Sequence, residues 1–139
     1  MQRLTSRPQF QAVLAGSSVA KTPHFVLHRS SLDPQTIPRP LFPVADTWLG
    51  VLLPKRWAKR AVTRNSIRRQ IYEVARARGA TLPQAAYVVR LRSAFSREAF
   101  PSATSDALKH AVRAELETLL LRASGSAAVN APRQAPHAG

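Results

Sequence analysis

The stretch from Lys55 to Arg78, KRWAKRAVTRNSIRRQIYEVARAR, constrains the rest of the chain. It carries Lys55, Arg56, Lys59, Arg60, Arg64, Arg68, Arg69, Arg76 and Arg78, and its only acid is Glu73. From about Val62 onward the spacing predicts a helix. Ile67, Ile71, Val74 and Ala75 recur at helical intervals and make one apolar stripe. Asn65, Arg69, Tyr72 and Arg76 make a second row, roughly opposite. Such a helix docks one side on a core and holds the other out as a row of donors. The planar fork of arginine meets phosphate at two points, so the outward row suits a nucleic-acid backbone. A basic face can also be merely solvated. Solvated helices, however, interleave both signs, with Glu four residues before Lys or Arg. Here the cations repel one another unless a polyanion relieves them.

The whole chain shares this bias. Twenty-one Lys and Arg face seven acids, for a net charge of +14. That balance favours a nucleic acid as partner, ahead of an anionic membrane surface. Arg greatly outnumbers Lys, which suits phosphate forks better than diffuse membrane attraction. The absence of cysteine removes disulfides, thiolate chemistry and cysteine-held zinc. The N-terminus, MQRLTSRPQF, lacks the apolar run of a secretory signal, and no stretch approaches the ~18 apolar residues of a membrane span. The expectation is a soluble, cytoplasmic protein with no membrane partner.

Taken in order, residues 5–16 predict a short helix. Ser6 and Gln9 have capping-box spacing, Pro8 is tolerable in the first turn, Phe10, Val13 and Leu14 form its apolar face, and Gly16 is a stop. Val19 to Arg29 reads as one extended segment, with Pro23 marking an edge or an entry point. Phe25, Leu27 and Arg29 point one way, and His24, Val26 and His28 the other. Ser30 to Asp46 is a loop containing Pro34, Pro38, Pro40 and Pro43, none of which can donate to a sheet ladder. Trp48 to Leu53 is a strand apolar on nearly every residue, hence buried on both faces. After Pro54 comes the basic connector, Lys55 to Arg60, then the long helix, which Gly79 ends. Thr81, Leu82 and Pro83 make a turn. Ala86 to Arg92 is a third strand, with Val88, Arg90 and Arg92 on one side. Ser93 to Pro101 is irregular, with a helical turn around Arg97. A last helix runs from about Ser102 to Arg122, capped by Ser102 or Thr104, with Leu108, Val112, Leu116, Leu119 and Leu120 as its stripe. Residues 123–139 lack periodicity and read as a disordered tail. The order α-β-β-α-β-α predicts an α+β fold: one domain over residues 1–122, with a small mixed sheet packed with helices.

Little here could run a reaction. Asp33, Asp46, Glu73, Glu98, Asp106, Glu115 and Glu117 are scattered, and no pair has the spacing of a metal or acid–base site. His24 and His28 share a strand face without a nearby carboxylate or third ligand, so they read as half-exposed strand histidines. There is no glycine-rich phosphate loop. No residue is expected to be catalytic, and no metal to be held by protein side chains alone.

The segment WLGVLLPKRWAKRAVTRNSIRRQIYEVAR resembles the protein subunit of bacterial ribonuclease P. The matching features are Gly50 near the start of a strand, the Lys55–Arg56 pair, the basic connector, and Arg64, Asn65, Ser66, Ile67, Arg68 and Arg69 on the helix. QFQAVL, HFVLH and AYVVRLR are similar to the family's first helix, first strand and third strand, so the resemblance covers about residues 4–122. It implies a fold like domain 2 of ribosomal protein S5, with a left-handed crossover. It also implies assistance to an RNA-catalysed removal of 5′ leaders from precursor tRNA, with Mg2+ held through the RNA subunit. By position, Lys55, Arg56, Lys59, Arg60, Arg64, Asn65, Arg68 and Arg69 would bind the catalytic RNA. Phe10, Leu14, Val26, His28, Leu52, Arg90 and Arg92 would line a cleft for the single-stranded leader of precursor tRNA. Ser66 departs from the family, which carries a second Arg there. Leu14 and His28 replace residues that are often aromatic, and Pro54 replaces a small polar one.

Other functions predict other behaviour. A ribosomal or general structural RNA-binding protein would share the charge but not promote cleavage. A DNA-binding module would put Asn65 to Arg76 in a major groove, although no DNA partner is expected. A nuclease using its own side chains would cleave without RNA.

Overall fold

A computed structural model describes residues 1–32, 41–78, 82–95 and 105–134. The elements are β1 (Gln2–Arg3), α1 (Arg7–Leu14), β2 (Ser17–Lys21), β3 (Phe25–Ser30), β4 (Trp48–Leu52), α2 (Ala61–Arg78), β5 (Ala86–Leu91) and α3 (Asp106–Gln134). They form an α+β fold, with one five-stranded sheet in the order β1-β4-β5-β3-β2. β4 runs parallel to β1 and β5, while β3 is antiparallel to β5 and β2. The sheet is thus mixed, with α2 as the crossover between the parallel neighbours β4 and β5.

Side chains on the two sheet faces build two cores. On one face Phe25, Leu27, Leu49, Val51, Tyr87, Val89 and Leu91 meet the stripes of α2 and α3. Ile67, Ile71, Val74 and Ala75 are all buried there, as are Leu108, Val112, Leu116, Leu119 and Leu120. Each Ile, Val and Leu among them contributes about 1.5–3 kcal/mol through burial. On the other face Leu4, Val13, Phe42, Trp48, Ala86 and Val88 form a smaller core under α1, with Phe10, Leu14 and Leu52 packed at its margin. Strand β4 feeds both cores, which accounts for its near-continuous apolar sequence.

Local chemistry explains α1. The Ser6 hydroxyl accepts from the Gln9 N–H, and Gln9 Oε1 accepts from the N–H groups of Ser6 and Thr5 at 3.1 and 2.7 Å. Gln9 then donates to the Leu41 carbonyl at 2.7 Å, tying the helix start to the loop before β4. Gly16 does more than stop the helix. A Cβ there would lie 2.4 Å from the Arg29 carbonyl oxygen, so only glycine lets the chain turn against β3.

Three expectations need correcting. Val19–Arg29 is a hairpin, not one strand: Thr22 to His24 turn the chain, Thr22 N–H donates to the Phe25 carbonyl, and β2 pairs back on β3. Pro23 marks that turn. Gln2–Arg3, given no element from the sequence, is a strand because it finds a parallel partner in β4. α3 is capped by Ser105, whose hydroxyl accepts from the Leu108 N–H at 3.1 Å. It runs past Arg122 to Gln134, through most of the stretch read as a disordered tail. With Gly125 and Pro132 in it, this stretch has little helix propensity of its own, so the helix continues one already nucleated and packed. The expectations for Pro34, Pro38 and Pro40, for Gly79 and Thr81, for the turn at Arg97 and for Ser102 and Thr104 fall outside the described residues. No helix among the described residues is long and apolar enough to cross a membrane.

Candidate nucleic-acid interface

The connector after β4 folds into a tight turn, with Trp57 and Ala58 N–H donating to the Pro54 carbonyl. Ala58 and Trp57 anchor it on the main core, leaving Lys55, Arg56, Lys59 and Arg60 exposed. The Arg56 guanidinium sits 5.2 Å from the centre of the Trp57 ring. Arg64 behaves differently from its neighbours. Its Nη1 donates to the carbonyls of Ala58 and Lys59, both at 2.9 Å, so it fastens the connector to α2. The sequence reading grouped Arg64 with the RNA-facing residues. The structure gives it this internal task as well.

Along the outer face of α2, Asn65, Arg68, Arg69, Tyr72, Glu73 and Arg76 line an open groove of about 440 Å³, and Arg3 closes its far wall. Arg68 Nη1 donates to Asn65 Oδ1 at 3.0 Å. Glu73, the one acid along the groove, is paired with Arg113 of α3 at 2.9 Å. The groove's own guanidinium groups are therefore not neutralised from within. Tyr72 corrects the expected outward row. It is only 8% exposed and belongs to the main core, its ring covered by the Arg3 guanidinium at 3.9 Å. Burial raises its hydroxyl pKa, against the opposing pull of Arg3 and Arg68. Sequence reasoning missed Arg3 because no local pattern marks it; only the pairing of β1 with β4 brings it to α2.

Ser66 opens a second depression, of about 160 Å³, bordered by Val62, Asn65, Arg69, Gln70 and Lys109. Lys109 comes from α3, so a cation stands across from the position where the resemblance expects arginine.

The second set of residues converges on the opposite sheet face. Strand register places Val26, Arg90 and Leu52 in one row across β3, β5 and β4, and His28, Val88 and Gly50 in the next. Gly50 makes the room for α1: a Cβ there would lie 2.6 Å from Phe10 Cε1 and 2.7 Å from Leu4 Cδ1. Phe10, Leu14 and Leu52 thus border one cleft, with the buried Val26 in the same row of the sheet as Leu52. Arg90 Nε donates to His28 Nε2 at 3.2 Å. Burial, then the charges of Arg90 and Lys21, lower the His28 pKa below its ordinary value. Arg92 sits just past β5 at the cleft's end. Its Nε donates to the Thr22 carbonyl at 2.9 Å and its N–H to the His24 carbonyl at 2.8 Å.

His24 departs from the reading of a half-exposed strand histidine without a nearby carboxylate. It lies in the hairpin turn, its Nδ1 is 2.8 Å from Glu115 Oε1, and its ring stacks on Phe95 at 3.9 Å. Glu115 also accepts from Thr22 Oγ1 and the His24 N–H, both at 2.6 Å. The carboxylate clamps the hairpin to α3. Among the described residues no three His, Asp or Glu side chains gather as a metal site.

Comparison with known proteins agrees with this architecture. A profile of the Ribonuclease P family matches residues 1–122. The Ribonuclease P protein component of Bordetella parapertussis is 38% identical over 120 residues, covering 86% of this chain and 89% of that one. The Ribonuclease P protein component of Ralstonia pickettii is 38% identical over 118 residues, covering 84% and 75%. The RNase P protein of Staphylococcus aureus superposes with a TM-score of 0.62 at 21% identity, over 87% of this chain and 94% of that one. Sequence and fold converge, and the chain belongs to the ribonuclease P protein family.

Proposed function

We propose that this chain binds the catalytic RNA of ribonuclease P through the basic face of α2 and its connector, and the single-stranded leader of precursor tRNA through the cleft between α1 and the sheet. The observation that carries the reading is the groove of Arg68, Arg69 and Arg76 beside Asn65, whose single acid, Glu73, is already committed to Arg113. Uncompensated guanidinium groups in a row attract phosphates and release counterions as they bind. The cleft supports the second half of the reading. It offers apolar side chains of Phe10, Leu14 and Leu52 beside the cations Arg90 and Arg92. Such a surface accepts bases without reading their sequence.

The protein's part in the reaction is electrostatic. Lys55, Arg56, Lys59, Arg60, Arg68 and Arg69 screen the repulsion between two RNA molecules, while the cleft holds the leader in one direction. Magnesium belongs to the RNA in this reading, since among the described residues no three His, Asp or Glu side chains gather as a metal site. Glu73 and Glu117 pair with Arg113 and Arg78, and Glu115 holds Thr22 and His24. No step is assigned to an ion on the protein. Such a complex would act in the cytoplasm.

The test is cleavage of precursor tRNA by a bacterial ribonuclease P RNA at limiting magnesium, with and without this protein. Restored cleavage at the mature 5′ end, with no cleavage by protein alone, is the expected result. Tight RNA binding without stimulation would overturn it in favour of a structural RNA-binding role.

A further inference from the structure

We propose that the groove between β1 and α2 holds one unpaired nucleotide of the partner RNA, with its base lying on the Arg3 guanidinium and its phosphates on Arg68, Arg69 and Arg76. The inference rests on the RNA-binding reading of α2 and assigns a contact within it.

Arg3 is a fixed platform. The backbone on either side is held by β4: Arg3 pairs with Leu49, and Leu4 N–H donates to the Leu49 carbonyl at 2.9 Å. The guanidinium carbon lies 3.9 Å from the centre of the Tyr72 ring, a distance typical of a cation–π contact. Arg3 also lines the groove, and among the described residues it enters no ion pair. Tyr72 is too buried to receive a base itself. Arg3 therefore carries the planar surface outward from the core to the groove.

The walls fit the same ligand. Asn65 has its Oδ1 taken by Arg68, which leaves its Nδ2 hydrogens to donate to a base edge. Arg69 and Arg76 are exposed along the helix, and Glu73 is turned to Arg113. A volume of about 440 Å³ suits a ligand the size of a nucleotide and is too small for a duplex. Unpaired bases splayed onto aromatic rings or guanidinium planes are the usual route by which proteins grip folded RNA.

The experiment is filter binding of the intact protein to a bacterial ribonuclease P RNA over a range of KCl concentrations, with a thermal melt of each variant. Arg3→Lys keeps the charge and loses the plane. A stacked base predicts that Arg3→Lys and Arg3→Ala both weaken binding, by roughly fivefold to a hundredfold, with the Arg3→Lys salt dependence unchanged. Arg76→Ala, on the opposite wall, is expected to lower the slope of log affinity against log salt by about 0.7. Wild-type affinity in Arg3→Lys alongside a loss in Arg3→Ala would reduce Arg3 to a point charge and overturn the platform. Wild-type affinity in both, with lowered melting temperatures, would reduce it to a cap on Tyr72. Failure of the wild-type protein itself to bind would instead overturn the RNA-binding reading, and this proposal with it.

Discussion

The two faces of this molecule carry positive charge in different ways. On α2, guanidinium groups line an open groove whose one carboxylate is spent elsewhere, and the connector beside it exposes further cations. In the cleft under α1, Arg90 is hydrogen bonded to His28 and Arg92 to a backbone carbonyl, and the neighbouring side chains are apolar. A surface of the first kind gains its affinity from displaced counterions and loses it in salt. A surface of the second kind adds base stacking and burial to the pull of its cations, so less of its affinity comes from displaced counterions. In the proposed reading the first is the RNA-docking face and the second the leader-tolerant one, on opposite sides of the sheet.

The strongest way to break this contrast is to reverse charge on one face only. Arg68→Glu with Arg69→Glu is expected to cut affinity for ribonuclease P RNA by about a hundredfold at moderate salt and to flatten its salt dependence. The melting temperature should change little, because neither side chain belongs to a core. Equal affinity for the RNA at fixed salt would remove α2 from the interface.

The cleft has its own lever in Gly50. Gly50→Ala drives a methyl group into Phe10 and Leu4, and overpacking of this kind costs about 1–3 kcal/mol. Urea unfolding should register that loss, and affinity for precursor tRNA should fall toward that for leaderless tRNA. Adding Phe10→Ala creates space, so the double variant should lose less stability than the sum of the two single changes. Simple additivity would mean that Phe10 does not sit where the structure puts it.

These levers also show what the sequence could reveal. The capping box of Ser6 and Gln9, the stripe of α2 and the continuous apolar run of β4 are local patterns, and each forms the element it predicts. Two of the misreadings depend on distant partners, and that of Arg64 on a turn that helical spacing does not describe. Glu115 reaches His24 across 91 positions, Arg3 meets Tyr72 only after β1 pairs with β4, and Arg64 turns back to two carbonyls in the preceding loop. Helical spacing placed Tyr72 outward because it counts residues on one helix. It takes no account of a strand lying across that face. Candidate RNA-facing residues were legible as a cluster, since charge without counter-charge is visible in sequence. The use of each individual arginine was not.

Ser66 offers a smaller and opposite effect. Arg69 and Lys109 border the depression that it opens, so a longer cation there meets open space and a phosphate-ready surface. Ser66→Arg should raise RNA affinity by about threefold and steepen the salt dependence by about one counterion. Lys109→Ala in the wild-type background should lower affinity by a similar factor. If Ser66→Arg weakened binding, the basic face would end at Asn65.

The smallest effect belongs to His28, and it tests the cleft without touching α2. Its Nε2 accepts from Arg90, which requires the neutral ring, and both Arg90 on β5 and Lys21 on β2 oppose a second positive charge. The folded protein therefore binds that proton less readily than the unfolded chain, whose histidine has its ordinary value of 6.5. The contribution to stability is present above that value and is lost as the pH falls through the lowered one. Between about pH 7.5 and about pH 5, wild-type protein should lose more stability than His28→Gln, by a modest margin since the ring is partly solvated. An amide still accepts from Arg90 but does not titrate, so the variant isolates the proton. Identical pH profiles would mean that Arg90 swings away on protonation at no cost, and that His28 does not position it.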